Sequence, residues 1–376
     1  MPPPENQRHR ILGDRPPRER MTMELIRNIA GRQRRRLLTF AAATTVAALA
    51  LSGCAASAPA EDDGAVSAEG ASITFIPKNL NNPYITLELS GAKEAAEELG
   101  MVYNEAAPLD AGADSQIPFI QTEVQNGTQI IAVSPNDPNA VCPALEDARA
   151  GGAKIITFDS DSARECRDIF INQVSVELVA QGMLEQLFEQ IGGTGEIAIL
   201  SATAAAPNQN SWIEAMIAEI DANPEYEWDL VATVYGDDDD TKSFQEAQGL
   251  LQAYPELDGI ISPTTVGIAA TARYLSTSEY KGQVALVGLG LPGQMKEYVL
   301  DGTVEAFALW DPSEVGYLSV YAGKALLEGT ITGAEGETFE AGKLGTYTIG
   351  PDGLIIVGEL LKFNAENIDQ YEYISF

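Results

Sequence analysis

Short runs rich in Ile and Val recur along this chain, each followed by an amphipathic stretch long enough to make a helix: SITFIP, QIIAVSP, KIITFDSD, GEIAILSA, DLVATVYG, LDGIISPT and VALVGLG. Runs that are apolar on both faces belong in a parallel sheet covered by helices, because only there are both faces buried. Alternation with helices makes βαβ units, so the expected class is α/β. In LELSGAKEAAEELG, Leu89, Ala92, Ala96 and Leu99 repeat at helical spacing and Gly100 ends the helix. The pattern occurs twice. A first series runs from 72 to about 161. RDIFINQ then leads into a second, opened by VELVAQGMLEQLFEQIGG and closing near Gly290, after which come one more helix and the strand VEAFALWD.

Upstream of the first run lies a different kind of sequence. Arg32, Arg34, Arg35 and Arg36 precede an uncharged stretch from Leu37 to Leu51 that ends in Leu51-Ser52-Gly53-Cys54. Positive charge followed by a short apolar run reads as a secretory signal, and the run is short for a membrane-spanning helix. Its last four residues resemble a lipobox, which implies lipidation of Cys54 and cleavage before it. Residues 1–53 are therefore expected to be a signal peptide with an upstream tract. Residues 54–71, small, acidic and aperiodic, are expected to be a flexible tether.

Setting the leader aside sharpens the chemistry. Ten of the 23 Lys and Arg and four of the 55 Asp and Glu lie in residues 1–53, leaving 13 bases against 51 acids and a net charge near −38. Such a chain is excluded from nucleic-acid binding. The 323 residues that follow are more than one core usually holds, which argues for two lobes. The one histidine, His9, falls within the leader. The remainder has no histidine for a Ser-His or Cys-His nucleophile or for a histidine metal site, so no metal or cofactor is expected. Outside the cytoplasm its two cysteines, Cys142 and Cys166, form a disulfide or remain two buried thiols. Their neighbours AVCPAL and ARECRD open a helix and follow the next strand, which puts them at one end of a sheet and favours the bridge.

In open parallel sheets the loops after the strand carboxyl ends form the ligand crevice, so those ends are where function is legible. The first gives Lys78 and Asn79, with Asn81, Asn82 and Tyr84 just beyond. Another gives Asp159 and Asp161; the next gives Asn208, Gln209 and Asn210 before Trp212. The last two give SPTT, with Pro263 and Thr265, and LWDP, with Trp310. Singly, Asp159 reads as a helix cap and Asn208 as a turn residue. Together, amides, carboxylates, a lysine and aromatic rings are what a polyhydroxylated ligand requires: partners for vicinal hydroxyls and flat faces for C–H groups. The acidic run from Gly236 to Asp240 lacks the spaced ligands of a calcium loop and reads as a solvated loop in which Asp240 caps the next helix.

At IPKNLNNPY, TFDSDSARECRDIFINQ, ILSATAAAPNQNSWIEAM, YGDDDDTKSFQEAQGLLQAYPELDGIISPTTVGIAA and DGTVEAFALWDP the chain resembles the rhamnose-binding lipoproteins of bacterial ABC sugar importers. It is also similar to the related autoinducer-2-binding proteins, both within the ribose-binding type of periplasmic binding protein. The likeness covers essentially all of 72–376. It implies two Rossmann-like lobes with parallel sheets, joined by a three-strand hinge. The crossings would fall near 171–173, near Trp310 and near 345–348, giving one lobe from 72–171 with 311–344 and another from 173–309 with 346–376.

The resemblance also implies ligand contacts. Lys78, Asp159 and Gln209 match side-chain contacts and Pro263 a backbone contact, whereas Asn208 and Thr265 depart from the autoinducer branch, which has aspartate and alanine there. Gly290 stands where ribose-type proteins place an aspartate. The expected function is an extracytoplasmic, membrane-anchored, monomeric receptor that binds a monosaccharide, rhamnose in preference to autoinducer-2, and delivers it to ABC permease subunits without catalysis. An enzyme using Asp159 and Asp161 as paired carboxylates is disfavoured, because residues two apart at a strand end diverge unless the loop turns sharply.

Overall fold

The computed structural model describes residues 67–80 and 82–374. The leader, Cys54 and Asn81 lie outside the described residues. The elements are β1 (Ser72–Ile76), α1 (Pro83–Glu98), β2 (Val102–Glu105), α2 (Ile117–Asn126), β3 (Ile130–Val133), α3 (Cys142–Ala150), β4 (Lys154–Phe158) and β5 (Ile169–Asn172). A second series follows: α4 (Val176–Ile191), β6 (Thr194–Ser201), α5 (Pro207–Ala222), β7 (Glu227–Tyr235), α6 (Asp240–Ala253), β8 (Gly259–Ser262), α7 (Thr265–Thr277), β9 (Ala285–Gly288), α8 (Pro292–Leu300) and β10 (Ala306–Leu309). The chain ends in α9 (Pro312–Leu327), β11 (Thr338–Glu340), β12 (Thr346–Thr348), β13 (Leu354–Ile356) and β14 (Leu361–Asn364).

Two parallel sheets carry the fold. The first has the order β13-β5-β4-β3-β1-β2 and the second β7-β6-β8-β9. β10 pairs with β14 antiparallel and meets the end of the second sheet through a parallel bridge between Leu289 and Ala308. Apart from the added edge strand β13, both sheets are wound in the same sense: the first strand of each series sits between the second and the third. That arrangement opens a crevice at the carboxyl ends of β1 and β3, and again at those of β6 and β8. Every residue of β3 and of β8 is buried, as strands covered on both faces must be.

Where α9 meets α1 the backbones touch. A Cβ at Gly91 would lie 1.9 Å from the Ser313 carbonyl oxygen, and one at Gly316 would lie 1.9 Å from that of Glu88. Glycine is required at both positions for the helices to approach so closely.

Three expectations are corrected. The tether does not extend to 71: Ala68 and Ala71 are buried, and Gly70 donates its N–H to the Gly100 carbonyl at 2.9 Å. These small residues fit beneath the turn that ends α1. The last change of sheet falls later than 345–348. β12 pairs with β11 in a hairpin and β13 adds to β5, so the chain passes to β14 only between Ile356 and Leu361. The cap of α6 is Asp239, whose carboxylate accepts from the Lys242 N–H at 2.7 Å, while Asp240 lies in the first helical turn and pairs with Arg273.

Candidate functional site

The two crevices face one cavity. All nine of the expected contact residues line it: Lys78, Asn82, Tyr84, Asp159, Asn208, Gln209, Pro263, Thr265 and Trp310. Each stands at or just beyond a strand's carboxyl end, which is how residues so distant in sequence converge.

Lys78 is buried, not a surface residue, and its Nζ donates to Asn208 Oδ1 at 2.9 Å and lies 3.2 Å from Asp159 Oδ2. The backbone there is pinned by Gln116 and Asn136. Gln116 Nε2 donates to the carbonyls of Pro77 (3.0 Å) and Ser134 (2.8 Å), and Asn136 Nδ2 to that of Lys78 (3.0 Å). Asp159 is engaged on both oxygens: Oδ2 accepts from Ser134 Oγ (3.0 Å) and Asn208 Nδ2 (3.3 Å), and Oδ1 from Gln173 Nε2. Its φ of 60° is left-handed, a region that aspartate tolerates better than most residues.

Asn82 caps α1, its Oδ1 accepting from the Tyr84 N–H at 2.9 Å, and turns Nδ2 towards Asp238 Oδ2 at 3.4 Å. Tyr84 receives the Trp310 indole N–H, and the two rings meet edge to face with centroids 6.2 Å apart. Trp212 also packs against Trp310, with centroids 5.9 Å apart. Burial pushes the Tyr84 hydroxyl pKa well up, with the charges of Glu88 and Asp159 adding to it. Gln209 has a buried Oε1 without a protein partner, an acceptor available to a hydroxyl.

Asp238, expected in a solvated loop, is instead half-buried. It lines the cavity at φ 53°, accepts from Thr264 Oγ1 at 2.8 Å, and burial raises its pKa against the opposing pull of Lys78. The signal that would have found it is the rule applied elsewhere, since it follows the carboxyl end of β7. Ile85, Trp212, Thr264, Leu289 and Leu309 complete the wall. Asp161 stands outside it, held by Arg167, so the two carboxylates considered for hydrolysis do not face one space.

Among the described residues, Lys78 is the one base lining the cavity, against Asp159 and Asp238. A carboxylate or phosphate ligand would meet two anions, whereas a neutral polyol meets acceptors, donors and ring faces together. At the far side of the β4–β5 loop, Cys142 and Cys166 have their sulfurs at bonding distance and their Cα atoms 5.3 Å apart, within the range of a disulfide.

Residues 73–331 match the family described as "Periplasmic binding protein domain". A sugar ABC transporter protein from Actinomyces odontolyticus is 59% identical, with 80% of this chain and 97% of that one covered and a TM-score of 0.66. An ABC transporter solute-binding protein from Clostridium phytofermentas, solved with bound L-rhamnose, is 34% identical over 82% of this chain and 99% of that one, with a TM-score of 0.79. The ribose import binding protein of Salmonella typhimurium is 25% identical over 294 residues, 76% of this chain and 92% of the relative.

Proposed function

The chain belongs to the periplasmic binding protein family, among the sugar-binding components of ABC transporters, and on that premise we propose that it captures a monosaccharide, L-rhamnose, outside the cytoplasm and delivers it to an ABC importer. The observation that carries this reading is the joining of Lys78, Asp159 and Asn208 in one hydrogen-bonded cluster at the mouths of two facing sheets. Each of these groups exchanges a protein partner for a sugar hydroxyl when ligand enters. Asp159 and Asp238 accept, Asn82 and Lys78 donate, and Gln209 Oε1 accepts. Rhamnose fits the apolar part of the wall, because its methyl group needs a dry surface such as Ile85, Leu289, Leu309 and Trp310 supply. The L-rhamnose complex at 34% identity supports the same choice.

The two sheets are the cores of two lobes that close on the sugar about three crossings. We take these crossings to be 173–175, 310–311 and 357–360, the segments between β5 and α4, β10 and α9, and β13 and β14. The receptor works as a monomer anchored through lipid on Cys54, with permease subunits as partners; Cys54→Ser would leave the membrane fraction if the anchor is there. The function is tested by calorimetry against L-rhamnose, L-fucose, D-ribose and autoinducer-2. Tightest binding of L-rhamnose is expected. Tighter binding of autoinducer-2 would replace the proposal with a signal receptor.

A further inference from the structure

The carboxylate at the centre of the cluster sits on an improbable piece of backbone. Asp159 has φ 60°, and the Ser160 N–H folds back to the Phe158 carbonyl at 2.6 Å, a three-residue turn that side-chain-bearing residues adopt rarely. Such a turn persists only when its surroundings over-determine it. Ser160 itself is wholly buried, so the restraint has to come from within the protein.

The restraint is visible two residues on. The Asp161 carboxylate accepts from Thr157 Oγ1 at 2.6 Å, from its neighbour Ser162 N–H at 2.9 Å, and from Arg167 through both Nε and Nη2, the latter at 2.6 Å. The third nitrogen of the same guanidinium, Nη1, donates to the Asp352 carbonyl at 2.8 Å, just ahead of β13. Asp352 is itself left-handed, with φ 56°. Arg167 is 3% exposed, packs its guanidinium against the Phe170 ring, and does not line the cavity. The Cys142–Cys166 pair holds the far end of the loop. One arginine thus ties the turn that presents Asp159 to the last strand added to the first sheet.

We infer that Arg167 is a positioning residue for ligand binding: by gripping Asp161 with two N–H groups and Asp352 with a third, it keeps the 159–161 turn in the conformation that aims the Asp159 carboxylate into the cavity. Lysine cannot substitute, because one ammonium lacks the planar fork that meets a carboxylate and a carbonyl together. The inference rests on the sugar-binding reading for its consequence, although not for its structural part.

The test therefore has two arms. In unliganded protein, amide hydrogen exchange is followed at Ser160 and in β3. Arg167→Lys is expected to speed exchange at Ser160 by about tenfold or more while leaving β3 unchanged, since the turn and not the sheet is released. In calorimetry with L-rhamnose, Arg167→Lys is expected to weaken binding about tenfold in the otherwise native protein and less than about threefold in the Asp159→Asn background, where there is no charge left to aim. Equal losses in both backgrounds, or unchanged Ser160 exchange, would overturn the inference in favour of a general stabilising role. If native protein ignores L-rhamnose, the sugar assignment fails and the exchange arm alone decides the turn. Should Arg167→Lys not fold, Asp161→Asn, which keeps the arginine and weakens its grip, is read in the same two arms.

Discussion

Trp310 donates its indole N–H to the hydroxyl of Tyr84 at 2.9 Å, joining residues 226 positions apart. Tyr84 opens α1 and Trp310 follows β10 at the point where the chain turns into α9, so one hydrogen bond closes the corner between a strand end and the helix pair beside it. Both groups are buried.

Replacing Tyr84 by Phe keeps the ring and strands the indole donor. A buried donor left without a partner costs about 1–3 kcal/mol. The expected outcome for Tyr84→Phe is a lower thermal midpoint and a shifted tryptophan emission. Emission identical to the native protein would show that water satisfies the indole.

Asp159→Ala removes the shared acceptor of Lys78, Ser134, Asn208 and Gln173. A charge-assisted bond to a sugar hydroxyl is worth about 1.5–3 kcal/mol, roughly ten- to a hundredfold in affinity. Calorimetry with L-rhamnose should show that loss, and a smaller one for Asp159→Asn, which still accepts. Native affinity in Asp159→Ala would remove this residue from the ligand wall.

Glu88 lies wholly within the protein on α1, and neither carboxylate oxygen has a hydrogen-bond partner. Burial raises its pKa well above the usual value and the charge of Asp159 adds to this, with Lys78 opposing. The folded state therefore holds a proton that the unfolded chain releases near pH 4.3. Its stabilising contribution is complete below that pH and is lost as pH rises towards the raised folded value. Glu88→Gln should flatten this dependence. Urea midpoints from pH 4.5 to 8 should show the variant gaining on the native protein as pH increases, and parallel curves would mean that the group does not titrate differently on folding.

Gly91→Ala drives a methyl group into the Ser313 carbonyl, and overpacking of this kind costs about 1–3 kcal/mol. Gly249, in α6, has nothing within 4 Å of an added Cβ. Gly249→Ala should stabilise by about 0.5–1 kcal/mol. Denaturant midpoints moving in opposite directions would confirm that the α1–α9 contact, and not helix propensity, sets the cost at Gly91.

A Cys142–Cys166 bridge would close a loop spanning a sequence separation of 24 and contribute roughly 3 kcal/mol in the chain-entropy model. Non-reducing denaturation of Cys142→Ser should show a loss of that order. Two titratable thiols in the native oxidised protein would contradict the bridge.

The Ile and Val runs made both sheets legible, because a strand buried on two faces has only one kind of sequence available to it. β2 escaped notice since VYNE is largely exposed, and β11 to β14 because three or four residues at an edge or in a hairpin carry too little periodicity. In the site, the strand-end rule reached Lys78, Asp159, Asn208 and Gln209, all of which line the cavity. Asp238 is hidden by its four-aspartate setting, which resembles solvated loop, and its contacts with Asn82 and Thr264 are what distinguish it from its neighbours. Asp161 was visible as a residue but not as a partner of Arg167, since alternation along a strand says where a side chain starts and nothing about what meets it.

The first sheet is completed by β13, which pairs with β5 although more than 180 positions separate them. Read in the order of synthesis, the edge of β5 and the glycine face of α1 stay bare while the whole second series is made, and they are covered only when α9 and β13 emerge. An uncovered parallel edge is a template for pairing with another chain. The first series can therefore reach its finished form only after α9 and β13 have left the ribosome, which makes late completion of the first sheet a property of the topology itself.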